Sequence, residues 1–146
     1  MDKKSLSPLE LIKIATEHAY CAQHLLQQNA EVAGSGHEMV DALMPIASLM
    51  YTAFELTLKA CLLQDHKKIG PPKRLMELVD LNSELDMSAQ DKQLIKSLAK
   101  QQAFRKGLDY ELWDDRQQLH VFCSQILDVY ERLQHLIPIE LQKIYQ

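Results

Sequence analysis

Glycine and proline are scarce in this chain, at four and five residues of 146. Most of them stand where an element would end, a distribution that favours long helices over many short strands. No run of residues alternates apolar with polar at period two, and no Asn-Gly pair offers a hairpin, so sheet structure is not expected. There are only three cysteines, Cys21, Cys61 and Cys123. An odd number at wide spacing does not make a disulfide framework. Each falls in a helical pattern among apolar neighbours, so all three are expected as buried free thiols, which suits a reducing cytosol. The start, Met1-Asp-Lys-Lys-Ser, leads into Pro8, Glu10 and Lys13 and not into an apolar segment, so no secretory signal is read. The longest apolar stretch, Met39 to Leu63, contains Asp41, Glu55 and Lys59, and is expected to be too polar to span a bilayer. The net charge of −4, from 16 basic and 20 acidic residues, does not describe a general polyanion binder, although it leaves room for a local basic patch.

What is present is ordinary globular composition, 47% hydrophobic and 25% charged. A chain of this length buries a core without metal or disulfide staples, so residues 1–146 read as one domain, with a core over about 8–136 and a short helical tail over 139–145. Ser7-Pro8-Leu9-Glu10 starts the first helix: Ser7 caps it, Pro8 takes its first position and Glu10 completes a capping box. Ile12, Ala15, Ala19, Ala22 and Leu26 form its apolar stripe to about Ala30, and Ala33-Gly34-Ser35-Gly36 breaks it. A second segment begins near His37. Pro45 either kinks it or divides it, and from there to about His66 the helix is apolar nearly all round, which places it at the centre of the fold. Gly70-Pro71-Pro72 marks a loop. A short helix follows over about Lys73 to Asp80. Ser88 and Asp91 start another, which continues through Leu94, Ile95 and Leu98 to about Phe104. Gly107 ends it. Asp114 caps the last long helix, whose stripe is Leu119, Phe122, Cys123, Ile126, Tyr130 and Leu133, and Pro138 stops it. The fold class is all-α, an up-down bundle of four to five helices.

Several residue groups invite a chemical reading. His18, Cys21 and His24 resemble a metal set, but His18 and His24 lie about 120° apart around the helix and cannot converge. No metal and no cofactor is expected. Lys67, Lys68, Lys73 and Arg74 put four cations into eight residues beside the end of the central helix, a candidate for phosphate contact that also reads as an ordinary polar loop. Lys92, Lys96 and Lys100 recur every four residues and read as a solvated face. The densest constellation is Phe104 to His120. On one unbroken helix, Arg105, Asp109, Trp113, Arg116 and His120 would share a strip about 80° wide. An Arg–His pair can cleave RNA without metal, histidine moving protons and arginine stabilising phosphate charge. Tyr110 or Trp113 can stack on a base. Gly107 and the Asp114 cap instead expect a break that scatters the strip. Glycine-rich phosphate loops, nucleophile elbows and carboxylate dyads are all missing from the sequence.

Taken together, the segments resemble a HEPN domain (higher eukaryotes and prokaryotes nucleotide-binding) over about Ile14 to Leu136. Ala15-Thr-Glu-His-Ala-Tyr-Cys-Ala-Gln-His-Leu-Leu is similar to the family's first helix. Tyr51-Thr-Ala-Phe-Glu-Leu-Thr-Leu-Lys-Ala-Cys-Leu-Leu is similar to its second, with the Glu-Leu-x-Leu-Lys-Ala-x-Leu pattern. Leu75-Met-Glu-Leu falls at the family's short helix, and Arg105 to Tyr110 at its Arg-containing turn. The resemblance implies a HEPN-like bundle, often a homodimer, serving in toxin–antitoxin, phage-defence or nucleotidyltransferase-associated systems. A minimal nucleotidyltransferase or an antitoxin would then be its partner. The family's nucleases carry an arginine followed, after four to six residues, by histidine. Here that window after Arg105 holds Tyr110, Glu111 and Leu112, and His120 follows Arg116 one residue too soon. The expectation is therefore a cytoplasmic, non-catalytic member that binds nucleotide, RNA or a partner protein, with Lys67, Lys68, Lys73, Arg74, Arg105, Tyr110 and Arg116 as contacts. The alternatives are an endoribonuclease using Arg105 or Arg116 with His120, and an interaction module with no ligand.

Overall fold

The computed structural model describes residues 6–35, 43–66, 74–105 and 116–142, with side chains described over 6–28, 45–66, 74–100 and 120–142. These residues form an all-α bundle with no strand among them. Its elements are α1 (Pro8–Ser35), α2 (Leu43–Gln64), α3 (Leu75–Leu81), a 3₁₀ turn (Ser83–Leu85), α4 (Ala89–Arg105), α5 (Arg116–Gln134) and α6 (Ile139–Gln142).

The helix starts obey local chemistry. The Ser7 hydroxyl accepts from the Glu10 backbone N–H at 3.2 Å and donates to the Glu10 carboxylate at 3.1 Å, fastening the first turn of α1. At α4 the Ser88 hydroxyl accepts from the Asp91 N–H at 3.1 Å. Two expectations shift. α1 runs to Ser35 instead of stopping near Ala30, because Ala33 is a strong helix former and Gly34 is tolerated inside the last turn. Pro45 does not divide α2 either. It stands at the third residue of the helix, where a backbone donor has no partner within the helix to lose. α2 ends where His66 enters the left-handed region at φ 58°, its N–H donating to the Leu63 carbonyl at 3.0 Å.

One hydrophobic core takes side chains from all six helices. α2 runs through it: Ile46, Met50, Ala53, Phe54, Leu58, Ala60, Cys61 and Leu62 are buried, and Pro45, Asp65 and His66 are its only exposed positions among the described side chains from Pro45 to His66. This corrects the reading of α2 against a membrane. Over Pro45–Gln64, a window without Asp41, mean hydropathy is 1.4, enough by length and composition to cross a bilayer. Within the bundle 56% of that window is buried, which is how a core helix passes the same test.

α1 and α2 share the largest interface. α5 is held against α2 by Tyr130, whose ring meets Phe54 edge-to-face at 5.4 Å and 78°, and whose hydroxyl pairs with the buried Thr57 hydroxyl at 3.1 Å. Asn82 fastens the end of α3 to α2: its amide Nδ2 donates to the Leu58 carbonyl at 3.2 Å and to the Leu78 carbonyl at 2.8 Å. α4 and α5 are joined by a two-pronged ion pair, Arg132 Nε and Nη2 to the Asp91 carboxylate at 3.0 and 2.7 Å.

The cysteine expectation is corrected at one position. Cys61 and Cys123 are buried free thiols, but Cys21 is exposed. At about 100° per residue, Cys21 points about 140° away from the centre of the Ile12–Leu26 stripe. The apolar residues beside it in sequence are not beside it in space.

Candidate binding groove

The stripe that buries α1 is narrow, and its flank remains open. Thr16, Ala19, Tyr20, Gln23, Leu26 and Gln27 line one side of a groove of about 610 Å³. Ser124, Leu127, Asp128, Tyr130, Glu131, Gln134 and His135 of the α5 segment line the other, and Gln142 of α6 lies at its margin. Small and apolar residues, Ala19, Leu26 and Leu127, lie toward the core, while amides, hydroxyls and carboxylates form the rim. Each wall spans twelve residues, Thr16–Gln27 and Ser124–His135, about 16 Å at 1.5 Å per residue. The volume falls within the usual range for ligand sites.

The electrostatics of this groove are one-sided. Asp128 and Glu131 contribute carboxylates, one turn apart on the same face, and no lysine or arginine is among the described lining residues. Arg132, the neighbouring cation, is turned to Asp91, whose hydrogen bond holds the guanidinium above its ordinary pKa; the charges of Asp91, Asp128 and Glu131 add to this. Its charge is thus already committed. Among the described lining residues phosphate meets no lysine or arginine.

Two polar groups on this face of α5 have no hydrogen-bond partner among the described residues. Both heteroatoms of the Gln134 carboxamide are buried and unpaired, as is Nε2 of His120. The neighbouring Gln142 is different: its Nε2 donates to the Ile137 carbonyl at 2.7 Å. Buried polar atoms are paired in the great majority of cases, so an unpaired carboxamide in the wall of an open groove carries information.

The sequence-derived candidates distribute as follows. Arg74 stands exposed just before α3, its backbone N–H donating to Glu77 Oε1 at 3.4 Å. Lys67, Lys68, Lys73 and Tyr110 lie outside the described residues, as do Gly107, Trp113 and Asp114. Arg105 closes α4 and Arg116 opens α5. At about 100° per residue, the Arg116 position lies within about 40° of His120, and His120 lies within about 20° of Leu127 and Glu131. The α5 face that lines the groove therefore continues through His120 toward Arg116. His18 bonds its own helix, Nδ1 to the Ile14 carbonyl at 2.8 Å, and His24 is exposed. No cluster of metal-ligating side chains occurs among the described residues. Lys92, Lys96 and Lys100 are all exposed, as a solvated face requires.

Sequence reasoning missed the groove itself. The signal was available in the polar flank beside each apolar stripe: Thr16, Gln23 and Gln27 on α1, and Ser124, Asp128 and Glu131 on α5. Comparison of the chain with models of known families, with curated proteins and with solved structures yields no match.

Proposed function

We propose that this chain is a HEPN-like binding module that acts by taking a segment of a partner protein into the groove between α1 and α5. The observation that carries this reading is the groove's lining: elongated, apolar at its floor, amide-rich at its rim and free of lysine and arginine among the described residues. Such a lining suits a polypeptide and disfavours nucleotide or RNA. In this reading the chain works in the cytosol, where Cys61 and Cys123 remain reduced in the core, and the homodimer and the toxin–antitoxin or nucleotidyltransferase setting follow from the HEPN resemblance.

Selection of a random twelve-residue peptide library against the immobilised chain tests this. Binders are expected to lose affinity at least tenfold for a groove-filled variant, Gln23→Trp with Ser124→Trp, both exposed positions that tolerate bulk. Peptides that bind the filled variant undiminished would overturn the reading.

One observation favours a second reading. The unpaired Nε2 of His120 on the same α5 face as the Arg116 position is the arrangement a metal-free endoribonuclease would use. RNA cleavage that survives chelator and disappears in His120→Ala would establish it, and loss in Arg105→Ala or Arg116→Ala would tell which arginine partners the histidine.

A further inference from the structure

Resting on the groove reading, we infer that the segment recognised is cationic: a lysine- or arginine-bearing stretch of a partner protein whose side chains reach Asp128 and Glu131 and whose amide groups satisfy Gln134. Three features of the groove converge on this occupant.

The first is charge. Asp128 and Glu131 are exposed on one face of α5, a turn apart, and Arg132, the residue after Glu131, is bound bidentately to Asp91 across the α4–α5 seam. Both carboxylates act on the Arg132 charge, but neither forms a salt bridge among the described residues, so their oxygens can meet an incoming cation. Spacing of one helical turn matches two cations three or four residues apart on a partner helix, or two residues apart on an extended segment.

The second is the Gln134 carboxamide. A side-chain amide has one acceptor oxygen and two donor hydrogens, the same complement that a peptide group offers in reverse. Its Oε1 and Nε2 are both buried and make none of these bonds among the described residues, so a ligand meets them only once the side chain turns into the groove. A ligand that presents both a donor and an acceptor, as any peptide backbone or Asn/Gln side chain does, restores what the free protein forgoes. An inorganic anion or a purely apolar ligand would supply at most half of that complement.

The third is Tyr20, 64% exposed on the opposite wall. An exposed tyrosine on the wall facing two carboxylates offers a cation an aromatic face on one side and a counter-charge on the other.

The test uses two labelled twelve-residue peptides of identical length and apolar pattern, one with lysine at every polar position and one with glutamate, read by fluorescence anisotropy against the intact chain. The lysine peptide is expected to bind at least tenfold more tightly than its glutamate counterpart. Asp128→Lys with Glu131→Lys should reverse the order. Glu77→Lys with Asp80→Lys on α3, away from the groove, should leave it unchanged, separating groove recognition from attraction to an acidic protein in general. Gln134→Leu should weaken the lysine peptide without altering its dependence on salt. Preference for the glutamate peptide with binding still lost in the groove-filled variant would overturn the cationic inference and leave the groove reading standing. Equal binding of the lysine peptide to the α5 and α3 charge reversals would overturn it as well.

Discussion

Gln134 concentrates the tension between stability and binding in one side chain. A buried carboxamide without partners costs the fold the desolvation of its polar atoms, on the order of 1–3 kcal/mol. Gln134→Leu is therefore expected to stabilise the free protein by ~1 kcal/mol and to raise Tm by about 2–4 °C, measured by calorimetry. If Gln134 were merely packing, the substitution would be neutral or destabilising. Cys61 gives a second prediction, in pH. Burial, with Asp65 and Glu84 adding to it, pushes its thiol from 9.0 up to about 12. The unfolded thiol ionises first, so stability from this group is complete below pH 9 and is lost as pH rises to about 12. Tyr51, raised by burial and by Glu55, extends the same loss above pH 10.0. Cys61→Ala should flatten the alkaline limb of the Tm profile, while Cys21→Ala should not. Iodoacetamide at neutral pH should modify the exposed Cys21 and spare Cys61 and Cys123.

Between elements, the Asp91–Arg132 pair fixes α4 to α5 and keeps Arg132 out of the groove's charge balance. Arg132 is 55% exposed and Asp91 9%, so solvent screens part of the attraction. A double-mutant cycle with alanine at both positions should give a coupling of about 1 kcal/mol, near the upper end for exposed pairs because the contact is bidentate. Asp91→Ala alone should cost more than Arg132→Ala, since Asp91 also favours the N-terminal end of α4. The helices were the most legible part of the sequence: Ser7–Glu10 and Ser88–Asp91 marked two starts, Ile12, Ala15, Ala22 and Leu26 of the α1 stripe are buried with Ala19 partly so, and Phe122, Cys123, Ile126, Tyr130 and Leu133 of the α5 stripe are buried. Exposure of Cys21 shows the limit of neighbour-in-sequence reasoning, for the stripe is set by angle and not by adjacency. Pro45 was ambiguous because a proline in a first turn and a proline that breaks a helix look alike without knowing where the helix begins. The groove was hidden for a different reason. Its walls belong to α1 and α5, more than a hundred positions apart at Thr16 and Ser124, and tertiary packing, of both against α2 and of each against the other, sets their flanks side by side.

At the scale of the whole molecule, charge is sorted by position. The lysines of α4 face solvent, Arg74 stands at the start of α3, and the groove keeps carboxylates and amides. The family resemblance drew attention to Arg105, Arg116 and His120, and the geometry moves the weight to the strip below them on α5. That strip, with the facing flank of α1, is where a partner segment would bind. Amide hydrogen exchange of the intact chain, with and without the lysine peptide at saturating concentration, tests it most directly. Protection concentrated over 16–27 and 124–135 is the result expected. Protection concentrated over 67–74, or an exchange pattern the peptide leaves unchanged, would contradict it.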